Sequence, residues 1–213
     1  MIKEGNIQQI INEINKMGGQ YHPHNIFQDW VEMTGISISN QVYYNEQLEQ
    51  EYLNIAKKYT NEQIVKFSEM SAHLVYLFEE KISDYLGEIY MKLDAGSSRT
   101  GQFFTPFHIC EMMASISLQN YNGEYVILNE PSCGGSGNIL GIAKVMKEKG
   151  YNYQDLINVV AQDLDYKCVW MSYVQLSIAG INAKVIQGNT LKDEVNQVLY
   201  TPMYVLKGGF YER

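Results

Sequence analysis

The stretch YVILNEPSCGGSGN, Tyr125 to Asn138, decides the reading of the fold. Tyr125-Val126-Ile127-Leu128-Asn129 is a short apolar run of strand character that enters a glycine-rich turn. Asn138 to Lys149 follows with helical spacing through Ile139, Ile142, Ala143 and Met146, and Gly150 stops it. A strand, a glycine turn and a helix in that order present free amides and a helix's positive end to a ligand. Such turns are also common as plain connections. The spacing excludes some ligands. Counting from Gly135 and Gly137, the third position of a dinucleotide fingerprint is Leu140, and no Walker lysine follows. Glu130, directly before the turn, repels a phosphate and suits a ligand bearing an ammonium group.

Downstream, the same grammar repeats. Ile157 to Ala161 reads as a second strand, Tyr166 to Ala179 as a helix, Ala183 to Gln187 as a third strand and Gln197 to Thr201 as a fourth. Strand-helix-strand alternation predicts a parallel sheet covered on both faces. Asp163, at the end of the second strand, stands where an acid accepts hydrogen bonds from ribose hydroxyls. Together with Glu130 and the glycine turn, it points to an adenosyl ligand with an amino-acid tail. S-adenosylmethionine meets that description.

Upstream, the pattern is helical. Ile7, Ile10, Ile11 and Ile14 share one face, a helix is expected around Asn25 to Met33, and Ile82, Tyr85, Leu86, Ile89, Tyr90 and Leu93 form an amphipathic stripe. Asp94 to Ser98 breaks the pattern. The expected organisation is a helical region over 1–94, then a small cofactor-binding domain over 95–213.

Composition narrows the function classes. The chain has 213 residues and 46% hydrophobic content, which predicts a globular protein. No apolar run is long enough for a membrane span or a leader, and the three scattered cysteines argue against a disulfide framework. A cytoplasmic location is the expectation. The net charge of −8 opposes an unaided grip on duplex DNA, because phosphate contacts draw on basic side chains.

Four segments in order resemble the DNA adenine-N6 methyltransferases, in particular the modification subunits of type I restriction systems and their relatives on mobile elements. Gly101-Gln102-Phe103-Phe104-Thr105-Pro106 resembles a Gly-Gln-Phe/Tyr-Phe/Tyr-Thr-Pro segment, whose Thr and backbone close over the methionine moiety. Glu130-Pro131-Ser132-Cys133-Gly134, continued by Gly135, resembles the acidic-Pro-small-Cys-Gly loop. Gln162-Asp163, followed by Leu164, takes the place of the family's Gln-Glu, so Asp163 resembles the ribose acid, and Gly188-Asn189-Thr190-Leu191 resembles the Gly-Asp-Thr-Leu whose acid holds the adenine amino group. The resemblance, over about residues 85 to 204, implies a truncated Rossmann-like S-adenosylmethionine-dependent methyltransferase sheet. The family reads Cys-Gly-Ser-Gly-Gly where this chain has Cys133-Gly134-Gly135-Ser136-Gly137, so Ser136 stands at a glycine position. Asn189 replaces an aspartate.

The family's fourth strand ends in Asn-Pro-Pro-Tyr or Asn-Pro-Pro-Phe. Its amide and proline carbonyls orient the adenine amino group, while the aromatic ring stacks on the flipped base. Thr201-Pro202-Met203-Tyr204 falls at that place in the order and is the expected counterpart, with stacking retained and the amide lost. A strand-ending turn is the other reading of Thr-Pro. The functional expectation is an adenine-N6 DNA methyltransferase-like protein, weak or inactive. The competing class is a non-catalytic cofactor-binding or interaction protein within or against a restriction-modification complex; a small-molecule methyltransferase is a third.

After Tyr204 only nine residues remain. The expectation is therefore a fragment, or a protein whose open sheet edge is covered by a second copy or another subunit, which would also help with DNA. Val205 to Tyr211 is a candidate extra edge strand. His22 and His24 read as a surface loop, no metal site is expected, and Cys133 reads as a packing residue without a histidine partner.

Overall fold

The computed structural model describes residues 5–19, 21–94 and 103–208. They divide into two compact units: the residues up to Lys81 with Tyr85 to Phe103, and Ile82–Asp84 with Phe104 onward. Residues 82–84 belong to the second unit.

The first unit is helical. Helix α1, Ile7–Met17, is capped by the Asn6 side chain and buries Ile10, Ile11 and Ile14. Helix α2, Pro23–Val42, starts on a proline at its first turn, with His22 as cap. Helix α3 spans Glu46–Ala56, and α4, Asn61–Glu80, opens with a Thr60–Gln63 capping box. Trp30 Nε1 donates to Ser71 Oγ at 3.0 Å and ties α2 to α4. Helix α5 is Tyr85–Asp94. The helix expected to begin near Ile82 thus starts three residues later, because Lys81 ends α4 in extended backbone and Ile82 and Asp84 bury in the other unit. His24 lies at the start of α2 rather than in a surface loop. It is buried, with its ring edge-on to Tyr90 at 4.5 Å.

The second unit is the α/β part. It runs α6 (Phe107–Ser117), β1 (Val126–Glu130), α7 (Gly137–Glu148), α8 (Tyr153–Leu156), β2 (Ile157–Asp163), α9 (Tyr166–Ile178), β3 (Ala183–Gln187), a 3-10 turn (Thr190–Lys192), β4 (Gln197–Tyr200) and α10 (Pro202–Leu206). The sheet order is β1-β2-β3-β4. Strands β1, β2 and β3 pair in parallel, as the alternation predicts, with Glu130 beside Ala161 and Ala161 beside Val185. Helix α9 is buried on almost every side from Cys168 to Leu176.

Strand β4 departs from the expected parallel sheet. It pairs antiparallel with β3, Lys184 opposite Tyr200 and Gln187 opposite Gln197. A parallel return needs a crossover of about a dozen residues or more, and residues 188–196 are too short for one. The chain doubles back at Gly188 instead, where a Cβ would clash with the Glu194 carbonyl oxygen, so only glycine fits.

Past β4, Pro202–Leu206 forms α10 where an edge strand had been expected; residues 209–211 of that expected strand lie outside the described residues. Thr201 caps the helix and Pro202 sits in its first turn, a combination that starts helices rather than strands. At the opposite edge, β1 pairs with β2 on one side and with no strand on the other among the described residues, and its Ile127 is 73% exposed.

Candidate functional site

The carboxyl ends of β1, β2 and β3 meet at the glycine turn. Cys133 N donates to Gln162 O at 2.9 Å, and Gly134 N to Asp163 Oδ2 at 2.8 Å, so the end of β2 holds the turn by backbone and side chain. Asp163 Oδ1 also accepts from Asp165 N at 2.9 Å. Each carboxylate oxygen keeps a further acceptor site for a ligand. Gly188 N donates to Asp163 O at 3.0 Å, and Thr190 Oγ1 to Pro131 O at 2.8 Å, which brings the third segment onto the first. Asn189 Oδ1 accepts from Leu191 N at 3.0 Å and shapes the same loop.

Gly134 has φ +51, and a Cβ on it would lie 3.1 Å from the Phe104 ring, so the ring rests on the bare turn. Thr105 and Pro106 are exposed just before α6, and Thr105 O accepts from Cys110 Sγ at 3.7 Å. Pro131, Ser132 and Leu164 are exposed at this end of the sheet. Phe103 is exposed and belongs to the first unit; Gln102 lies outside the described residues.

Ser136 has φ 70, the left-handed conformation in which a side chain costs about 1 kcal/mol or more over glycine. Its hydroxyl is fully buried and hydrogen-bonds the Ser172 hydroxyl, while Cys133 Sγ reaches Ser172 Oγ at 3.6 Å. A polar partner below the turn thus offsets the backbone cost at the position where the family has glycine. Burial pushes the Cys133 thiol up to about 12 and the Cys110 thiol up to about 11, which removes both as nucleophiles near neutral pH.

At the start of α7, Asn138 Nδ2 donates to Glu130 Oε2 at 3.2 Å. Asn138 Oδ1 is buried with no hydrogen-bond partner among the described residues. A carboxylate with lone pairs left over beside an orphan carbonyl oxygen suits a further donor, the fit expected for a ligand's ammonium group. The sequence marks Asn138 only as the start of a helix, and the motifs do not include Asp84, Ser172 or Gln175. The last two are polar, three residues apart, in an otherwise apolar buried helix, and that break in pattern is a usable sequence signal.

The quartet Thr201-Pro202-Met203-Tyr204 is not brought to this site. Thr201 stands beside Ala183, at the amino end of β3, whereas the glycine turn lies at the carboxyl ends. Four residues of strand separate the level of Ala183 from that of Gln187, about 13 Å, and β4 is three strands across from β1, about 14 Å. The antiparallel turn of β4 is the cause, since it carries the end of the strand back toward the start of β3. Tyr204 stacks on Tyr200, with ring centroids 5.0 Å apart.

A mixed sheet of three parallel strands and one antiparallel strand, with a glycine turn and a strand-end acid at the carboxyl ends of the parallel strands, is of the Rossmann-like class. Within that class, the sequence matches the family described as N-6 DNA Methylase over residues 81–206. The chain belongs to the N-6 DNA methylase family. Among solved structures, it is similar to the methyltransferase subunit of the type I restriction-modification system from Streptococcus thermophilus: TM-score 0.47, 13% identity, over 88% of this chain and 58% of that one. It is also similar to a protein from Listeria monocytogenes described as a class I S-adenosylmethionine-dependent methyltransferase: TM-score 0.48, 12% identity, over 96% of this chain and 69% of that one. The chain thus spans little more than half the length of the first. No curated protein matches the sequence.

Proposed function

We propose that the second unit binds S-adenosylmethionine at the carboxyl ends of β1, β2 and β3, as the cofactor half of an adenine-N6 DNA methyltransferase. The observation that carries the reading is the acceptor pair at the head of α7, Glu130 and the orphan Asn138 Oδ1, beside a strand-end acid. In this reading Glu130 and Asn138 accept from the ligand's ammonium group, and Asp163 accepts from ribose hydroxyls with the lone pairs its backbone donors leave over. Asn189 and Thr190 border the adenine, with exposed Leu164 against a ring face, while Phe104, Thr105 and Pro106 cover the methionine end. Cys133, Gly134 and Gly135 give close backbone approach. When bound, the cofactor supplies an electrophilic methyl group on a sulfonium. The substrate is DNA, engaged with a further polypeptide, because the chain's charge of −8 leaves little basic surface of its own.

Calorimetric titration with S-adenosylmethionine tests the binding. A 1:1 isotherm abolished by Glu130→Ala supports it; no heat and no thermal shift overturn it. A second reading, a non-catalytic cofactor-binding subunit of a restriction-modification complex, is favoured by one observation. Thr201 is wholly buried and its hydroxyl is spent on Ile181, Ala183 and Tyr204. Tritiated methyl transfer to unmethylated DNA separates the two: transfer by the chain alone sinks the non-catalytic reading.

A further inference from the structure

Beside the glycine turn lies a second set of polar groups, almost wholly buried. Asp84 is 6% exposed and Gln175 0%. Gln175 Nε2 donates to Asp84 Oδ1 at 2.8 Å and to Gly135 O at 2.6 Å, so one amide group spends both its hydrogens on a carboxylate and on the turn's own carbonyl. A Cβ on Gly135 would meet Asp84 Oδ1 at 3.2 Å, and one on Gly137 would meet Asp84 Oδ2 at 3.2 Å. The carboxylate therefore packs against two glycines, the second of them the first residue of α7, at that helix's positive end. Its charge is felt nearby, raising the Cys110 thiol further after burial has done most of the work.

We propose that Asp84 and Gln175 are positioning residues that lock the glycine turn from below, holding Gly135 and Ser136 in the conformation the cofactor meets. The role in binding rests on the S-adenosylmethionine reading above; the locking itself does not. The turn needs such a lock because Ser136 holds a left-handed backbone and relaxes unless its neighbours are fixed. Gln175 and Ser172 reach it from one face of α9, and Asp84 joins Gln175 on the same side of Gly135, where a Cβ would meet both. An internal carboxylate at the head of α7 also opposes a phosphate there, in keeping with a ligand whose group near that helix end is cationic.

The experiment is amide hydrogen exchange on the ligand-free protein, with calorimetry on the same samples. The variants are Asp84→Ala, Asp84→Asn and Gln175→Met. Asp84→Ala and Gln175→Met are expected to speed exchange at the Cys133, Gly134 and Ser136 amides by roughly tenfold or more, with Val159 and other strand amides unchanged. The same two variants weaken S-adenosylmethionine by about the same factor. Asp84→Asn, which keeps the acceptor for Gln175, restores the larger part of both. Asp84→Asn and Gln175→Met are close in size to the native side chains, so the test stands if Asp84→Ala does not fold. Unchanged exchange at the turn overturns the proposal. So does equal acceleration at turn and strand amides, since that marks a general scaffold role. A wild type that does not bind the cofactor sinks the binding reading, while the exchange data still decide the lock.

Discussion

Thr201 Oγ1 lies 3.0 Å from the amide nitrogen of Ala183 and accepts its hydrogen. The same hydroxyl donates to Ile181 O at 2.7 Å and caps α10 by accepting from Tyr204 N at 3.4 Å. The residue at the expected catalytic position is a structural rivet between β3, β4 and α10.

Thr201→Val keeps the shape and removes the hydroxyl, leaving a buried amide and a buried carbonyl short of a partner. The expected cost is about 1–3 kcal/mol in urea denaturation. Thr201→Asn places a larger amide in the same closed space. It is expected to destabilise the fold and to leave methyl transfer to DNA where the wild type has it; a gain of transfer would return the quartet to the reaction centre.

Asp163→Ala removes the acceptor for Gly134 N and Asp165 N together with the group proposed for the ribose. S-adenosylmethionine affinity is expected to fall by about 10–100-fold by calorimetry, of the order of one to two lost charged hydrogen bonds. Asp163→Asn, which keeps one acceptor oxygen, is expected to lie between.

The Ser136–Ser172 pair predicts a coupled double-mutant cycle. Ser172→Ala leaves the buried Ser136 hydroxyl short of its partner and costs about 1–3 kcal/mol. Ser136→Gly also relieves the left-handed backbone, so the double variant Ser136→Gly, Ser172→Ala is expected to recover most of that loss, read by thermal or urea unfolding.

Cys110 and Cys133 predict alkaline sensitivity. Folding raises their thiols from the ordinary 9.0 to about 11 and about 12. Raised folded values stabilise the protonated form, so this contribution is complete below pH about 9 and is lost as pH rises through about 11 to 12. Native protein is expected to react slowly with a thiol reagent at pH 8 and quickly once unfolded. Fast native labelling of Cys133 would refute its burial.

The α/β class was legible because its signals are local. The apolar run before Glu130, the glycine turn and the spacing of α7 each lie within a few residues, and Ala183–Gln187 is a strand with the boundaries expected of it. The contacts among Pro131, Cys133, Gly134, Asp163 and Thr190 were foreseeable as a group, since parallel pairing puts the carboxyl ends of successive strands side by side. Asp84 was not legible. It sits inside a stretch whose apolar spacing continues smoothly into α5, and nothing local marks the chain as leaving one unit for another there.

By itself, then, the sequence determined a helical first region, a strand-glycine turn-helix unit and the acids at its strand ends, because short-range periodicity and turn chemistry specify them. The tertiary structure alone decided where Thr201 and Asp84 go. The direction of β4 depends on the reach of residues 188–196 and on pairing with β3. The place of Asp84 depends on Gln175, far along the chain, and on the two glycines that leave room for it. Both are long-range outcomes of packing, which no run of neighbouring residues encodes.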